Sequence, residues 1–195
     1  IDLEKKSKIN IFRPRRTKEN SPVSNVIFKE SDIYFSNNNI IFKYNLKNQI
    51  LTKLAVDGLG SDNFHHMTYD GKKLVYLLTN EGKIFHYDTI DNSTTLILDS
   101  KNSKDISEKD KVNRITFADG KFLFATQNGW IYLYNSVSGK LLFNQRYLAH
   151  NDEIIALNYD RRLNTIYSSA DDGSFCMLEY DEDETFGEKR VDIDF

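Results

Sequence analysis

At 195 residues the chain is long enough for one sizeable core, and 39% apolar with 28% charged content is that of a globular protein. A formal net charge of −3 argues against a general nucleic-acid-binding surface, and no apolar run approaches the roughly 18 residues of a membrane-spanning helix. A single cysteine, Cys176, excludes an internal disulfide and fits a reducing, intracellular compartment.

Thirteen Phe and eleven Tyr against two Pro favour strands over helices. The first ten residues lack the apolar stretch of a secretory signal. Because the first residue is Ile rather than Met, the chain is expected to be a fragment or a processed product.

Residues 1–23 read as a basic arm. Lys5, Lys6, Lys8, Arg13, Arg15, Arg16 and Lys18 stand against Asp2, Glu4 and Glu19, and Lys8–Phe12 alternates enough for one short strand. Such an arm is either a solvated connector or a segment that touches phosphates or directs nuclear import.

From residue 24 the chain reads as repeats. The first (about 24–56) has strands at Ser24–Phe28, Asp32–Ser36, Ile40–Tyr44 and Ile50–Leu54, with a turn at Asn37-Asn38-Asn39 because Asn tolerates the left-handed region. The second (64–98) has His65–Tyr69, an Asp70-Gly71 hairpin turn, Lys73–Leu78, Lys83–Tyr87 and Thr94–Leu98. Asp99–Lys111, with Ile106 almost its only apolar residue, reads as a long surface loop. The third (112–147) has Asn113–Ala118, Lys121–Thr126, Trp130–Tyr134 and Leu141–Gln145, with turns at Asp119-Gly120, Asn128-Gly129 and Ser138-Gly139. The fourth (149–195) has Ile154–Tyr159, Asn164–Ser169 and Ser174–Leu178, and is completed by the alternation of Val191, Ile193 and Phe195 with Asp192 and Asp194.

Spacing ties the units together. The turn residue before each third strand is Asn39, Gly82, Gly129 and Gly173, at steps of 43, 47 and 44. Five residues on come Tyr44, Tyr87, Tyr134 and Leu178, then Asn45, Asp88, Asn135 and Glu179. This order resembles the WD-repeat, the four-stranded unit of a β-propeller, whose period is about 40–45 residues and whose third strand ends in Trp-Asp. None of the four units contains that pair.

The resemblance implies an all-β β-propeller with four four-stranded blades. It also implies that these blades belong to a larger or partner-completed ring, because WD-type rings commonly hold seven. In WD-repeats an entry His, a strand-two Ser or Thr, a turn Asp and the Trp form a hydrogen-bonded tetrad. Only the fourth unit comes near, with His150, Ser169 (or its neighbour Ser168) and Asp172, and Leu178 stops the network at three members. The implied role of His150 is structural.

Catalytic and metal signatures are weak. His65 and His66 are adjacent on a strand and point to opposite faces, and His86, His150 and Cys176 show no zinc spacing. Ser169-Ala-Asp-Asp-Gly173 resembles one partial Asp-box of sialidase propellers, but reads better as an Asp-Gly turn. Phe28, Phe35, Phe42, Phe85, Phe117, Phe122, Phe124 and Phe143 fall at alternating strand positions and are expected in the core, whereas Trp130, beside a turn, is a candidate rim anchor. Glu179–Glu184 reads as a solvated acidic loop.

The expected function is a non-enzymatic protein–protein interaction scaffold without cofactor. It would be a subunit of a larger intracellular complex, nuclear rather than cytoplasmic if the basic arm is a signal. The alternatives are a nucleic-acid-associated subunit using that arm, and an enzyme on a propeller scaffold.

Overall fold

The computed structural model describes residues 23–107, 110–118, 120–137, 140–180 and 186–189. These form four four-stranded sheets. Blade 1 comprises β1 (Val23–Lys29), β2 (Asp32–Asn37), β3 (Ile40–Asn45) and β4 (Leu51–Leu54). Blade 2 comprises β5 (Phe64–Tyr69), β6 (Leu74–Thr79), β7 (Lys83–Asp88) and β8 (Thr94–Asp99). Blade 3 comprises β9 (Val112–Ala118), β10 (Lys121–Thr126), β11 (Trp130–Val137) and β12 (Lys140–Leu148). Blade 4 comprises β13 (Ile154–Asp160), β14 (Thr165–Ala170), β15 (Phe175–Tyr180) and β16 (Phe186–Lys189).

Within each sheet the strands lie in chain order and pair antiparallel. The sheets follow one another about a common axis, the arrangement of a four-bladed β-propeller. The first strands are innermost: β1 packs on β5, β5 on β9 and β9 on β13. Among the described residues no such packing joins β13 back to β1, so the four blades form an arc with two ends.

Turn chemistry sets the registers. The Asp70 carboxylate accepts from the backbone N–H of Lys72, Lys73 and Leu74, at 2.7, 2.9 and 3.0 Å, drawing two lysines into the β5–β6 connection. That connection is therefore longer than the two-residue Asp-Gly hairpin the sequence suggests. Asp160 caps the equivalent β13–β14 turn through the N–H of Arg162 at 2.8 Å. In blades 1 and 2 the residue after the strand-three Tyr does the same one turn later. Asn45 accepts from the N–H groups of Lys47 and Asn48, and Asp88 from that of Ile90. The turns at Asp119-Gly120 and Ser138-Gly139 include residues outside those described.

Side chains of consecutive blades interlock in three clusters. Tyr34, Ile41 and Leu54 of blade 1 meet Val75, Leu77, Phe85 and Tyr87 of blade 2. Tyr76, Leu78 and Ile84 meet Phe122, Phe124, Tyr132 and Tyr134 of blade 3. Leu123, Ala125, Ile131 and Leu133 meet Ile154, Ile166, Cys176 and Leu178 of blade 4.

Four expectations are corrected. Residues 99–111 are not merely a surface loop: Ser100–Asn102 forms a short 3-10 turn, and Ile106 is buried against Val112 and Phe122. The fourth strand of blade 4 is Phe186–Lys189, which pairs antiparallel with β15; Val191, Ile193 and Phe195 lie outside the described residues. Glu179 belongs to β15 rather than to an acidic loop. Phe28 and Phe143 are exposed, not core, for reasons given below.

Candidate functional site

The blades are clipped together by a repeated backbone contact. The chain entering each new blade donates an N–H to the turn before the previous blade's third strand: Phe64 to Asn38, Ser100 to Gly82, and Ala149 and His150 to Gly129. At the last of these joints stands the one polar network that the sequence singles out.

His150 is buried, with its Nε2 2.8 Å from the Ser168 hydroxyl and its Nδ1 2.5 Å from that of Ser174. Ser174 donates its hydroxyl to Asp172 at 2.5 Å, so it accepts from an Nδ1–H, and Nε2 accepts from Ser168. The result is a directed relay, Ser168 to His150 to Ser174 to Asp172. Burial works against the Asp172 charge. The Ser174 hydroxyl, the N–H groups of Asn151 and Ser174 and the nearby His150 outweigh it and hold that carboxyl at about 2.

Ser168, not Ser169, meets the histidine. Ser168 sits opposite Cys176 on the side of β14 that faces blade 3, and its neighbour necessarily points the other way. Ser174 was not singled out from sequence, although Asp172-Gly-Ser174 carries the signal of an aspartate capping its own turn. A Ser-His-Asp grouping invites a catalytic reading, but Ser168 is only 2% exposed and His150 1%, so no substrate reaches the hydroxyl. The relay ties the entry segment to the body of blade 4, and the bonds to Gly129 tie the same segment to blade 3.

A second polar cluster lies on the inner strands, where a β-bulge interrupts each first strand near its start. The Arg114 guanidinium reaches His65 Nε2 at 2.7 Å and donates to the Ile155 carbonyl at 2.7 Å, while Asn25 donates to the His65 carbonyl at 3.0 Å. In both blade pairs a residue just past one bulge holds the carbonyl of the bulged residue in the next blade. Burial, then Arg114, pushes the His65 imidazole down. Burial, Arg114 and His65 push His66 to about 4. The bulge at His65 breaks the alternation expected of adjacent strand residues: both rings meet β9 of blade 3, His65 at Arg114 and His66 at the Ile115 N–H. No group of His, Cys, Asp and Glu among the described residues is placed to hold a metal.

These shifts give a pH dependence. A histidine whose folded value is depressed takes up its proton more readily when unfolded, so stability is full above about pH 6.5 and falls as the pH drops towards 4. His66 alone is expected to cost about 2 kcal/mol at pH 5. Urea midpoints at pH 7 and 5 check this: His66→Gln should flatten the difference, and an equal acid loss in the variant would assign it elsewhere.

Where the first hairpins of blades 2, 3 and 4 converge, a depression of about 640 Å³ is lined by Asp70, Lys72, Tyr76, Phe117 and Arg161.

The ends of the arc differ from its joints. Val26 and Met67 occupy the same position, pairing with Phe35 and Leu77 respectively. Val26 is 52% exposed, whereas Met67, covered by blade 1, is 5%. Phe28 is 61% exposed, while its counterparts Tyr69, Phe117 and Tyr159 are half-buried. At the far end Ala156 and Asn158 are exposed, while Thr68 and Thr116, at the position of Asn158, are half-buried. Phe143, 40% exposed, is open for a local reason: it lies on the outermost strand of blade 3, with only its inner side against Tyr134.

Trp130 is half-buried against the core of blades 2 and 3, with the Arg146 guanidinium 4.7 Å from its ring centroid. It is a capped rim residue rather than a bare anchor. Lys5, Lys6, Lys8, Arg13, Arg15 and Arg16 lie outside the described residues.

No protein-family model matches the chain, and no curated protein matches it. Solved structures do. The computationally designed Ika4 protein matches with a TM-score of 0.63 at 14% identity, over 82% of this chain and 91% of that one. The designed Ika8 protein matches with a TM-score of 0.60 at 14% identity, over 80% of this chain and 45% of that one. A chain of the Mitotic Checkpoint Complex matches with a TM-score of 0.60 at 11% identity, over 85% and 55%. This chain thus spans about half the length of the latter two, and the likeness is one of fold.

Proposed function

We propose that the protein is a non-enzymatic protein–protein interaction scaffold of WD-repeat type, an intracellular subunit whose arc another protein chain completes. The observation that carries this reading is the bare apolar end of blade 1, where Val26 and Phe28 are 52% and 61% exposed at positions that the other blades cover. Apolar surface of that kind marks association sites.

The WD-repeat assignment is supported by the buried contact of His150 with Ser168 and, through Ser174, with Asp172. Burial of that same relay supports the non-enzymatic reading. Membership of a complex is supported by the likeness to a chain of the Mitotic Checkpoint Complex. The basic run Lys5–Arg16 favours the nucleus.

Placing a photo-crosslinking residue at Phe28 in the native cells tests the proposal. A discrete protein adduct is expected there and not at Ile90, which is 73% exposed but sits in the β7–β8 connection away from the ends. No adduct at position 28, or equal labelling at both positions, would overturn the scaffold reading.

A further inference from the structure

We propose that a second copy of this chain closes the arc: blade 4 of each copy docks on blade 1 of the other, giving an eight-bladed ring of two chains. The proposal rests on reading the chain as an arc completed by another protein, and names that protein.

The argument is one of equivalent positions. The side of a blade that looks back at its predecessor carries four residues of its two middle strands. In blade 2 these are Val75, Leu77, Phe85 and Tyr87, and in blade 3 Phe122, Phe124, Tyr132 and Tyr134, none more than 1% exposed. Blade 1 offers Ile33, Phe35, Phe42 and Tyr44 in the same pairing, with Phe35 and Phe42 stacked at 5.3 Å. Its back thus repeats the composition of an internal blade, with Phe35 8% exposed and Ile33, Phe42 and Tyr44 half-buried, and the bare apolar surface lies beside them at Val26 and Phe28.

The forward side tells the same story at the other end. Blade 1 presents Tyr34, Ser36 and Ile41 to blade 2. At the matching positions blade 4 presents Tyr167, Ser169 and Phe175, repeating the Tyr and the Ser, with Tyr167 and Phe175 stacked at 6.1 Å. The front of blade 4 thus resembles the front of blade 1, and the back of blade 1 resembles the back of blade 2. Front of blade 1 on back of blade 2 is an interface the fold already makes.

A second copy supplies both missing halves in the correct hand, and a two-fold axis makes the two new junctions identical, so no edge is left over. Four blades twice is eight, within the range at which propellers close. Length agrees: four-fifths of this arc fits 45% of the Ika8 chain, so a chain of that fold has room for about two such arcs.

The test is the mass of the 195-residue chain by light scattering at tens of micromolar. A discrete species of twice the single-chain mass is expected. Val26→Asp with Phe28→Asp should give a monomer with an unchanged circular dichroism spectrum. In case that variant unfolds, disulfide trapping provides a second measurement. Ala156→Cys lies just past the β13 bulge and Ser24→Cys in the β1 bulge, equivalent to the Asn25–His65 junction seen within the chain. Among the described residues β13 and β1 do not share the packing that joins neighbouring first strands, so the bond is expected to join two copies. Mixing the two single variants should trap a dimer, and neither alone should.

A wild-type monomer would overturn the proposal, as would open-ended polymers, or a dimer that survives the double variant and resists trapping. A monomer that dimerises only after removal of residues 1–22 would overturn it too, by identifying that segment as the cover. The two readings fail separately. A monomer whose position 28 still crosslinks to a different protein refutes the second copy and leaves the scaffold standing.

Discussion

Gly129→Ala is expected to destabilise the fold by about 3 kcal/mol or more. Gly129 has φ +79°, where an L side chain is strained, and a Cβ there would stand 2.0 Å from the His150 carbonyl oxygen and 2.5 Å from its carbon. That carbonyl belongs to a backbone which is already tied: the N–H groups of Ala149 and His150 both donate to Gly129 O, at 2.9 and 3.2 Å. Backing away would break those bonds and displace the imidazole from Ser168 and Ser174.

The other blades supply the controls. Gly173 has φ +77° with nothing within 4 Å of its virtual Cβ, so Gly173→Ala should cost only the left-handed penalty of about 1 kcal/mol. Gly82 meets the Ser100 hydroxyl, a side chain that can rotate, and should fall between them. Urea unfolding of the three variants checks the order, and a Gly129 variant no worse than the Gly173 one would mean that the blade 4 entry is not held there.

Phe124→Ala is expected to lose about 3–5 kcal/mol, the range for removing a buried aromatic without collapse of the cavity. Phe124 is fully buried, with the rings of Phe122 and Tyr134 at 4.8 and 4.7 Å and blade 2 behind them. Phe124→Leu should recover most of the loss, and Phe143→Ala, at a side chain 40% exposed, should cost much less. A fall of under 1 kcal/mol for the alanine variant, read from urea midpoints at constant slope, would show that blades 2 and 3 do not interlock as described.

The blades were legible in the sequence because strand, turn and period all repeat. Lys121–Thr126 is bounded in the sequence by the turns at Asp119-Gly120 and Asn128-Gly129, and most other strands to within a residue or two. Aspartates that cap turns were less legible. Asp70 reads as the first half of an Asp-Gly hairpin until its carboxylate is seen gathering three N–H groups. The choice between Ser168 and Ser169 depends on which face of β14 meets blade 3, and adjacent residues on a strand differ in nothing else. The burial of Ile106 was not legible because one apolar side chain in a polar stretch has no period, yet it joins the buried cluster with Val112. The exposure of Phe28 was illegible for the opposite reason: its period is that of a core residue, and only the neighbour that would cover it is lacking.

Strand order has a mechanical corollary. Among the described residues every strand pairs with a neighbour in sequence, and the main packing of each blade is with the blades before and after it. The protein is therefore close to a one-dimensional stack of modules. Tension across the four described blades would find no strand among them stitched to a distant blade, so the outer modules would peel away while the inner ones held. The joint between blades 3 and 4, fastened by both the Gly129 clip and the histidine relay, is the one from which an end module would be hardest to detach.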